Sequence, residues 1–311
     1  SQAGMKADRR DARLTRASLY RTVQEALSVV DDEARRVLGA LKEAGTEDPD
    51  LNAVYDLHAR LFRVLAQARA DIKAEFERMG EWALQARLDQ GMPLLSFAQV
   101  PLDADRFAEL VLDVAGLLTE SNPALEGQAV PNSPSACLAL ARQRFAEGQA
   151  VDEQADLVPR SARLGNGEGE QSLAEMSVDL ALKPYLEWGA EQVLPHVELE
   201  YWRRRYCPVC GGTPGLAFLG AESGTRYLLC SRCSSQWPYR RVGCPFCGTR
   251  DHNKLSYYLS EDEVYRLYVC KACRRYLKVL DLRQAGRQVL FPVERIRTAG
   301  MDLAARQAGY R

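Results

Sequence analysis

Apolar residues in the first two thirds of the chain recur at spacings of three and four. From Val54 they fall at Leu57, Leu61, Val64, Leu65, Ala68, Ile72 and Phe76, while Asp56, Arg60, Arg63 and Arg69 lie off that stripe. Such spacing turns one side of an α-helix toward a core. An earlier stripe, Leu19, Val23, Leu27, Val30, Ala34, Val37, Leu38 and Leu41, runs to Gly45. The turn-forming GTEDPD that follows predicts a hairpin of two helices. The same periodicity predicts helices over 104–119, 135–147 and 172–202. Between them, the Pro-containing apolar stretch GMPLLSFAQVPLD (91–103) reads as a connector. The polar, Gly-rich PRSARLGNGEGEQS (159–172) reads as a flexible loop.

Past residue 200 the period changes. Eight of the nine cysteines form four Cys-x-x-Cys pairs within 67 residues: Cys207/Cys210, Cys230/Cys233, Cys244/Cys247 and Cys270/Cys273. The first pair recurs 37 residues later as the third, and the second 40 residues later as the fourth. CPVCGG and CPFCGT open the two stretches; LLCSRC and YVCKAC close them, each after an aromatic strand-like run, TRYLL or VYRLYV. One supersecondary unit, duplicated, accounts for this. Eight thiolates are the ligand requirement of two tetrahedral four-cysteine metal centres with none left over. In a zinc-ribbon or rubredoxin-type unit the chain turns tightly at each pair. Gly211, Gly212 and Gly248 leave backbone N–H groups free to approach the sulfurs, and the 19 and 22 intervening residues suit a β-hairpin that returns the second pair to the first. Ligation within units is expected, with Cys207, Cys210, Cys230 and Cys233 on one ion and the other four on the second; interleaved ligation is the alternative.

Only WPYRRVG separates the SSQ tail of the first unit from Cys244. The two units are therefore expected to form one rigid block, with Trp237 packed between them. The predicted fold is α+β: a helical domain over 1–200, a first four-cysteine ribbon over 201–243, and a second over 244–311 that includes a C-terminal helix.

At 311 residues, 46% hydrophobic and 27% charged, the chain is long enough for more than one core. No stretch approaches the ~20 apolar residues of a membrane span, and 1–16 is polar and charged, without the apolar centre of a signal peptide. A cytoplasmic location is expected, where thiols stay reduced and open to metal. Ser1 to Gly4, ahead of Met5, read as left over from expression. Charge is uneven: residues 201–280 carry 14 Lys and Arg against 5 Asp and Glu, a formal +9 in a chain of −1 overall. Arg203, Arg204 and Arg205 precede the first pair, and Arg240 and Arg241 join the units. They read as solvated linkers, or as a basic face for an acidic partner or nucleic acid.

Cys137, in SPSACLALARQRF, reads as a buried helical thiol. His58 lies beside the apolar stripe as a structural residue; His196 and His252 are not spaced with any nucleophile or ligand cluster. There is no phosphate loop, nucleophile elbow or HExxH. A conventional enzyme is not expected.

The Cys pairs and their approach carry a resemblance. ALKPYLEWGAEQVLPHVELEYWRRRYCPVCGGTP, TRYLLCSRCSSQWPYRRVGCPFCG and YRLYVCKACRRYLKVLD are similar to the FdhE family, accessory proteins required for assembly of active formate dehydrogenases. GMPLLSF and MDLAARQAGYR resemble that family on either side, so the likeness covers roughly 90–311 and is strongest over 202–281. It implies a non-enzymatic maturation factor with two rubredoxin-like metal domains, which binds the catalytic subunit of a molybdenum- or tungsten-containing formate dehydrogenase before completion or export. It also implies iron at the four-cysteine sites, with zinc the alternative, since tetrahedral sulfur ligation suits either ion. Two other readings stand beside it: a zinc-ribbon nucleic-acid binder using Trp237, Tyr239 and Phe246 near the arginines, and a rubredoxin-like electron carrier.

Overall fold

A computed structural model describes residues 16–76, 84–149 and 171–311, with side chains of the first helix described from residue 32. The stretch 1–15 and nearly all of the expected loop 159–172 lie outside the described residues. The two apolar stripes form α1 (Arg16–Glu47) and α2 (Asn52–Glu75), joined by a 3-10 turn at Pro49–Leu51. Gly45 does not stop α1; its missing Cβ makes room for Asn52 and Tyr55, which a methyl group would meet at 2.9 and 3.2 Å.

The helical part continues as α3 (Leu84–Asp89), α4 (Ala104–Ser121), α5 (Pro134–Glu147) and α6 (Leu173–Val193). Three of these start on side-chain caps. Asp103 accepts from the Arg106 N–H at 3.0 Å, Ser133 accepts from Ala136, and Ser172 forms a capping box with Glu175. Helix α6 is apolar on nearly every side and is accordingly central, with α2, α4 and α5 packed around it. It stops at Val193, well before residue 202, and passes into a 3-10 turn that holds Pro195 (Leu194–His196).

The Cys-rich half is one six-stranded sheet: β1 (Pro214–Leu219), β2 (Arg226–Cys230), β3 (Gln236–Tyr239), β4 (Leu255–Leu259), β5 (Tyr265–Cys270) and β6 (Arg275–Asp281). Their order is β3-β2-β1-β6-β5-β4. Neighbours within each unit are antiparallel. The units join through a parallel β1/β6 pair that sets Ala217, Phe218 and Leu219 opposite Val279, Leu280 and Asp281. Strands β4, β5 and β6 repeat β1, β2 and β3, so the duplicate is laid head to tail in a single sheet. The expected rigid block takes that form, and Trp237 is fully buried in a core it shares with Cys244, Phe246 and Leu277.

The chain closes with α7 (Phe291–Arg297) and α8 (Ala299–Gln307). Val293 and Ile296 pack against Val37, Leu41 and Tyr55 of the first hairpin, and Ala305 and Tyr310 cover Leu267 and Val269 on the sheet. One apolar core runs from Phe107 and Leu182 in the helices to Val209, Cys210 and Leu228 in the first ribbon. Among the described residues no helix is long and apolar enough to cross a membrane.

Candidate metal centres

The Cys pairs turn by a shared device. In three of them the first cysteine's N–H reaches the carbonyl five residues on: Cys207 to Gly212 at 2.8 Å, Cys230 to Ser235 at 2.9 Å, Cys244 to Thr249 at 3.0 Å. In all four the residue after the second cysteine is left-handed: Gly211 (φ 74°), Ser234 (56°), Gly248 (77°) and Arg274 (58°). Glycine holds this conformation freely; Ser234 and Arg274 hold it at a cost and use their side chains. Ser234 Oγ donates to Glu187 on α6 at 2.8 Å and accepts from Lys183 at 3.1 Å. Arg274 donates to the Gly309 carbonyl at 3.2 Å and lies 4.7 Å from the Tyr310 ring centre.

The pairs close within units. Cys207, Cys210, Cys230 and Cys233 form one cluster and Cys244, Cys247, Cys270 and Cys273 the other, with the sulfurs of each within 4.8 Å of one another. Closest pairs are Cys207–Cys233 at 3.4 Å, Cys210–Cys230 at 3.5 Å, and Cys244–Cys273 and Cys247–Cys270 at 3.7 Å. An ion with metal–sulfur bonds of about 2.3 Å in tetrahedral array needs sulfurs about 3.8 Å apart, so each cluster fits one ion. Four thiolates around a divalent ion leave two negative charges, partly offset by the Val209, Arg232 and Phe246 N–H groups, each 3.4 Å from a sulfur. Burial pushes the thiols of Cys207 and Cys233 well up and that of Cys270 up to about 11. Burial acts the same way on Cys230, but hydrogen bonds from Cys207, Cys210 and Cys233 outweigh it and bring it well below the ordinary thiol value.

The two centres differ in their surroundings. All four ligands of the first are at most 2% exposed. The connector 91–103 straps it to the helices: the Leu94 and Leu95 N–H groups bond the Pro208 and Val209 carbonyls, each at 2.8 Å. Arg232 reaches Phe145 O on α5 at 3.2 Å, and Arg295 on α7 reaches Cys230 O at 2.7 Å. The expected connector 91–103 thus also holds the first centre in place, a role for which its apolar Leu94–Leu95 pair is the signal in the sequence. In the second centre Cys247 and Cys273 are only half-buried, and a cavity of about 330 Å³ lined by Arg226, Arg266 and Arg275 opens beside Cys244 and Cys270. Arg226 donates to Gly243 O at 2.8 Å. Burial lowers the pKa of Arg226 against the pull of Tyr239, Tyr268 and Cys244, and that of Arg275 against the pull of Cys273 and Cys244.

Of the five arginines in the basic stretches, two are half-buried, Arg205 donating to Phe246 O at 2.6 Å and Arg240 lying over the Tyr239 ring, while Arg203, Arg204 and Arg241 are exposed. Trp237, Tyr239 and Phe246 are 0, 3 and 4% exposed, out of reach of a stacking base. Cys137 is fully buried, its S–H aimed at Pro131 O at 3.3 Å. His58 Nδ1 bonds Val54 O within its own helix at 2.7 Å, and His196 and His252 are exposed; none joins either cluster.

Residues 206–241 match the family described as "FdhE, central domain". The chain is similar to the "Protein FdhE homolog" of Aquifex aeolicus, 32% identical over 173 residues that cover 54% of this chain and 60% of that protein. The homolog of Pectobacterium atrosepticum is 30% identical over 194 residues, 60% of this chain and 57% of that one. The chain thus spans less than two thirds of these relatives. The crystal structure of the FdhE protein from Pseudomonas aeruginosa covers 90% of this chain and 93% of its own with a TM-score of 0.54 at 21% identity, a likeness of fold.

Proposed function

We propose that this chain, which belongs to the FdhE family, is a non-enzymatic assembly factor that binds the catalytic subunit of a formate dehydrogenase in the cytoplasm before that enzyme is complete. The observation that carries this reading is the coincidence of the family's central domain with the first four-cysteine unit, the unit strapped to the helical half. Cys207, Cys210, Cys230 and Cys233 would hold one ion and Cys244, Cys247, Cys270 and Cys273 the other, iron by family resemblance and zinc as the alternative. Iron would supply a one-electron couple, zinc only a brace. An assembly factor must let its product go, which requires weaker binding to the finished enzyme than to the unfinished one.

The test is co-purification of a formate dehydrogenase catalytic subunit with and without its cofactors, alongside metal analysis and a visible spectrum of anaerobically prepared protein. Preferential capture of the unfinished subunit is expected. Equal capture of both forms, or tight salt-sensitive binding to nucleic acid in place of either, overturns the reading.

A further inference from the structure

Among the described residues, the head-to-tail duplication leaves one strand edge without the neighbour that its repeat possesses. Gly220 N–H bonds Thr225 O in the first hairpin and Ser260 N–H bonds Tyr265 O in the second, each at 2.9 Å, so the hairpins align residue for residue. Ala217, Phe218 and Leu219 of β1 then correspond to Tyr257, Tyr258 and Leu259 of β4. The first three are the residues against which β6 lies in parallel; the second three are 52, 59 and 48% exposed at the end of the sheet.

Backbone direction agrees. Antiparallel ladders alternate inward- and outward-facing residues. With Ser260 and Lys254 bonded toward β5, Leu255, Tyr257 and Leu259 turn their N–H and C=O groups outward. The equivalent outward carbonyl in β1, Leu219 O, accepts from Leu282 N–H at 3.1 Å. The sheet's two ends also differ. Strand β3 has four residues, and Pro238 sits where an outward N–H is needed, which blunts that edge and stops copies from propagating β3 onto β4. Strand β4, LSYYL, carries neither proline nor charge.

We propose that the β4 edge is a docking site for an extended segment of a partner polypeptide, added as a parallel strand beside Leu255–Leu259 in the manner of β6 on β1. Charge sets the guest's chemistry. Lys254 and Lys271 stand at the start of β4, with Asp251 4.0 Å from Lys254 as the one acidic group beside them among the described residues, and Glu261, Asp262 and Glu263 follow its end. A parallel guest therefore fits best with acidic residues at its N-terminal end, apolar or β-branched residues in the middle and basic residues at its C-terminal end. This deepens the assembly-factor reading, on which it rests for the source of the strand, while the site itself is testable without that source.

The probe is a fluorescein-labelled synthetic peptide with two aspartates, five alternating valines and threonines, and two lysines, followed by anisotropy against the metal-loaded full chain. Leu259→Pro removes an outward N–H and spares the β4/β5 ladder, whereas Leu259→Val keeps it; circular dichroism and metal content confirm that both variants fold. The proline variant should bind about tenfold more weakly and the valine variant within about threefold of wild type, with the charge-reversed peptide weaker than the original. No binding of the peptide to wild type, equal binding to the proline variant, or a wild-type dimer that Leu259→Pro dissociates would overturn the proposal, the last assigning the edge to a second copy. Capture of a catalytic subunit by wild type and proline variant alike would remove the edge as its contact and leave the assembly-factor reading standing.

Discussion

Ser234 and Arg274 stand where Gly211 and Gly248 stand in the other two turns, and each holds a left-handed backbone that costs an L-residue about 1–2 kcal/mol. The tethers they make are the compensation. Ser234→Gly should relieve the strain and lose the bonds to Lys183 and Glu187, for a net loss of about 1 kcal/mol; Ser234→Ala keeps the strain and should lose about 2 kcal/mol. Chemical denaturation of the metal-loaded protein gives the order, and a glycine variant less stable than the alanine one would refute the account. Asp281 offers a second residue-level test. A hydrogen bond from Arg283, with Arg266 adding charge, holds its carboxyl below the usual range despite burial, so it stabilises the fold above that range and the contribution disappears as pH falls through it. Asp281→Asn should cost about 2 kcal/mol at pH 7, less than a fully enclosed pair because Arg283 can turn to water. The gap between variant and wild type should close below about pH 4.

At the scale of elements, the four Cys-x-x-Cys turns and their hairpins were legible because ligand spacing leaves little freedom: two residues between sulfurs and a hairpin's length between pairs. The helices were legible where one face is apolar, as in α2. The end of α6 was misjudged because its apolar residues continue past Val193 while Pro195 favours another course. The unequal sealing of the two centres was not legible, since it comes from residues more than a hundred positions away, Leu94 and Leu95. It leads to an expected order of metal loss. Under a chelator the second centre, with Cys247 and Cys273 half-buried, should release its ion roughly tenfold faster than the first, whose sulfurs and carbonyls are held by surrounding groups. Native mass spectrometry should show a one-ion species that Cys273→Ser reproduces; random loss from both would contradict this. Because burial raises Cys270 to about 11, its thiol is protonated without metal, so an ion must displace the proton and loading should weaken as pH drops.

At the scale of the molecule, we propose that 1–200, 201–243 and 244–311 act as units of folding, although one sheet and one core run through them. Cys207→Ser should remove much of a metal-coupled folding energy of about 10 kcal/mol and expose 201–243 to proteolysis while most of the helical circular dichroism survives. Loss of the helical signal in step with the ribbon would make the chain a single cooperative unit. The FdhE likeness was readable from the Cys pairs and their flanks, since metal ligation constrains residue type and spacing directly. The sequence by itself determined the four Cys-x-x-Cys pairs and their duplication, the helical first half and the closeness of the two units around Trp237, because each follows from local spacing, periodicity or a short linker; it favoured ligation within units over interleaving, and the structure brought the sulfurs together that way. Only the tertiary structure decided that the duplicate lies head to tail, that α7 returns to the first hairpin, and that, among the described residues, β4 ends the sheet without the neighbour β1 has. Those depend on which strand and which helix meet across long separations, and no local period encodes a partner that far along the chain.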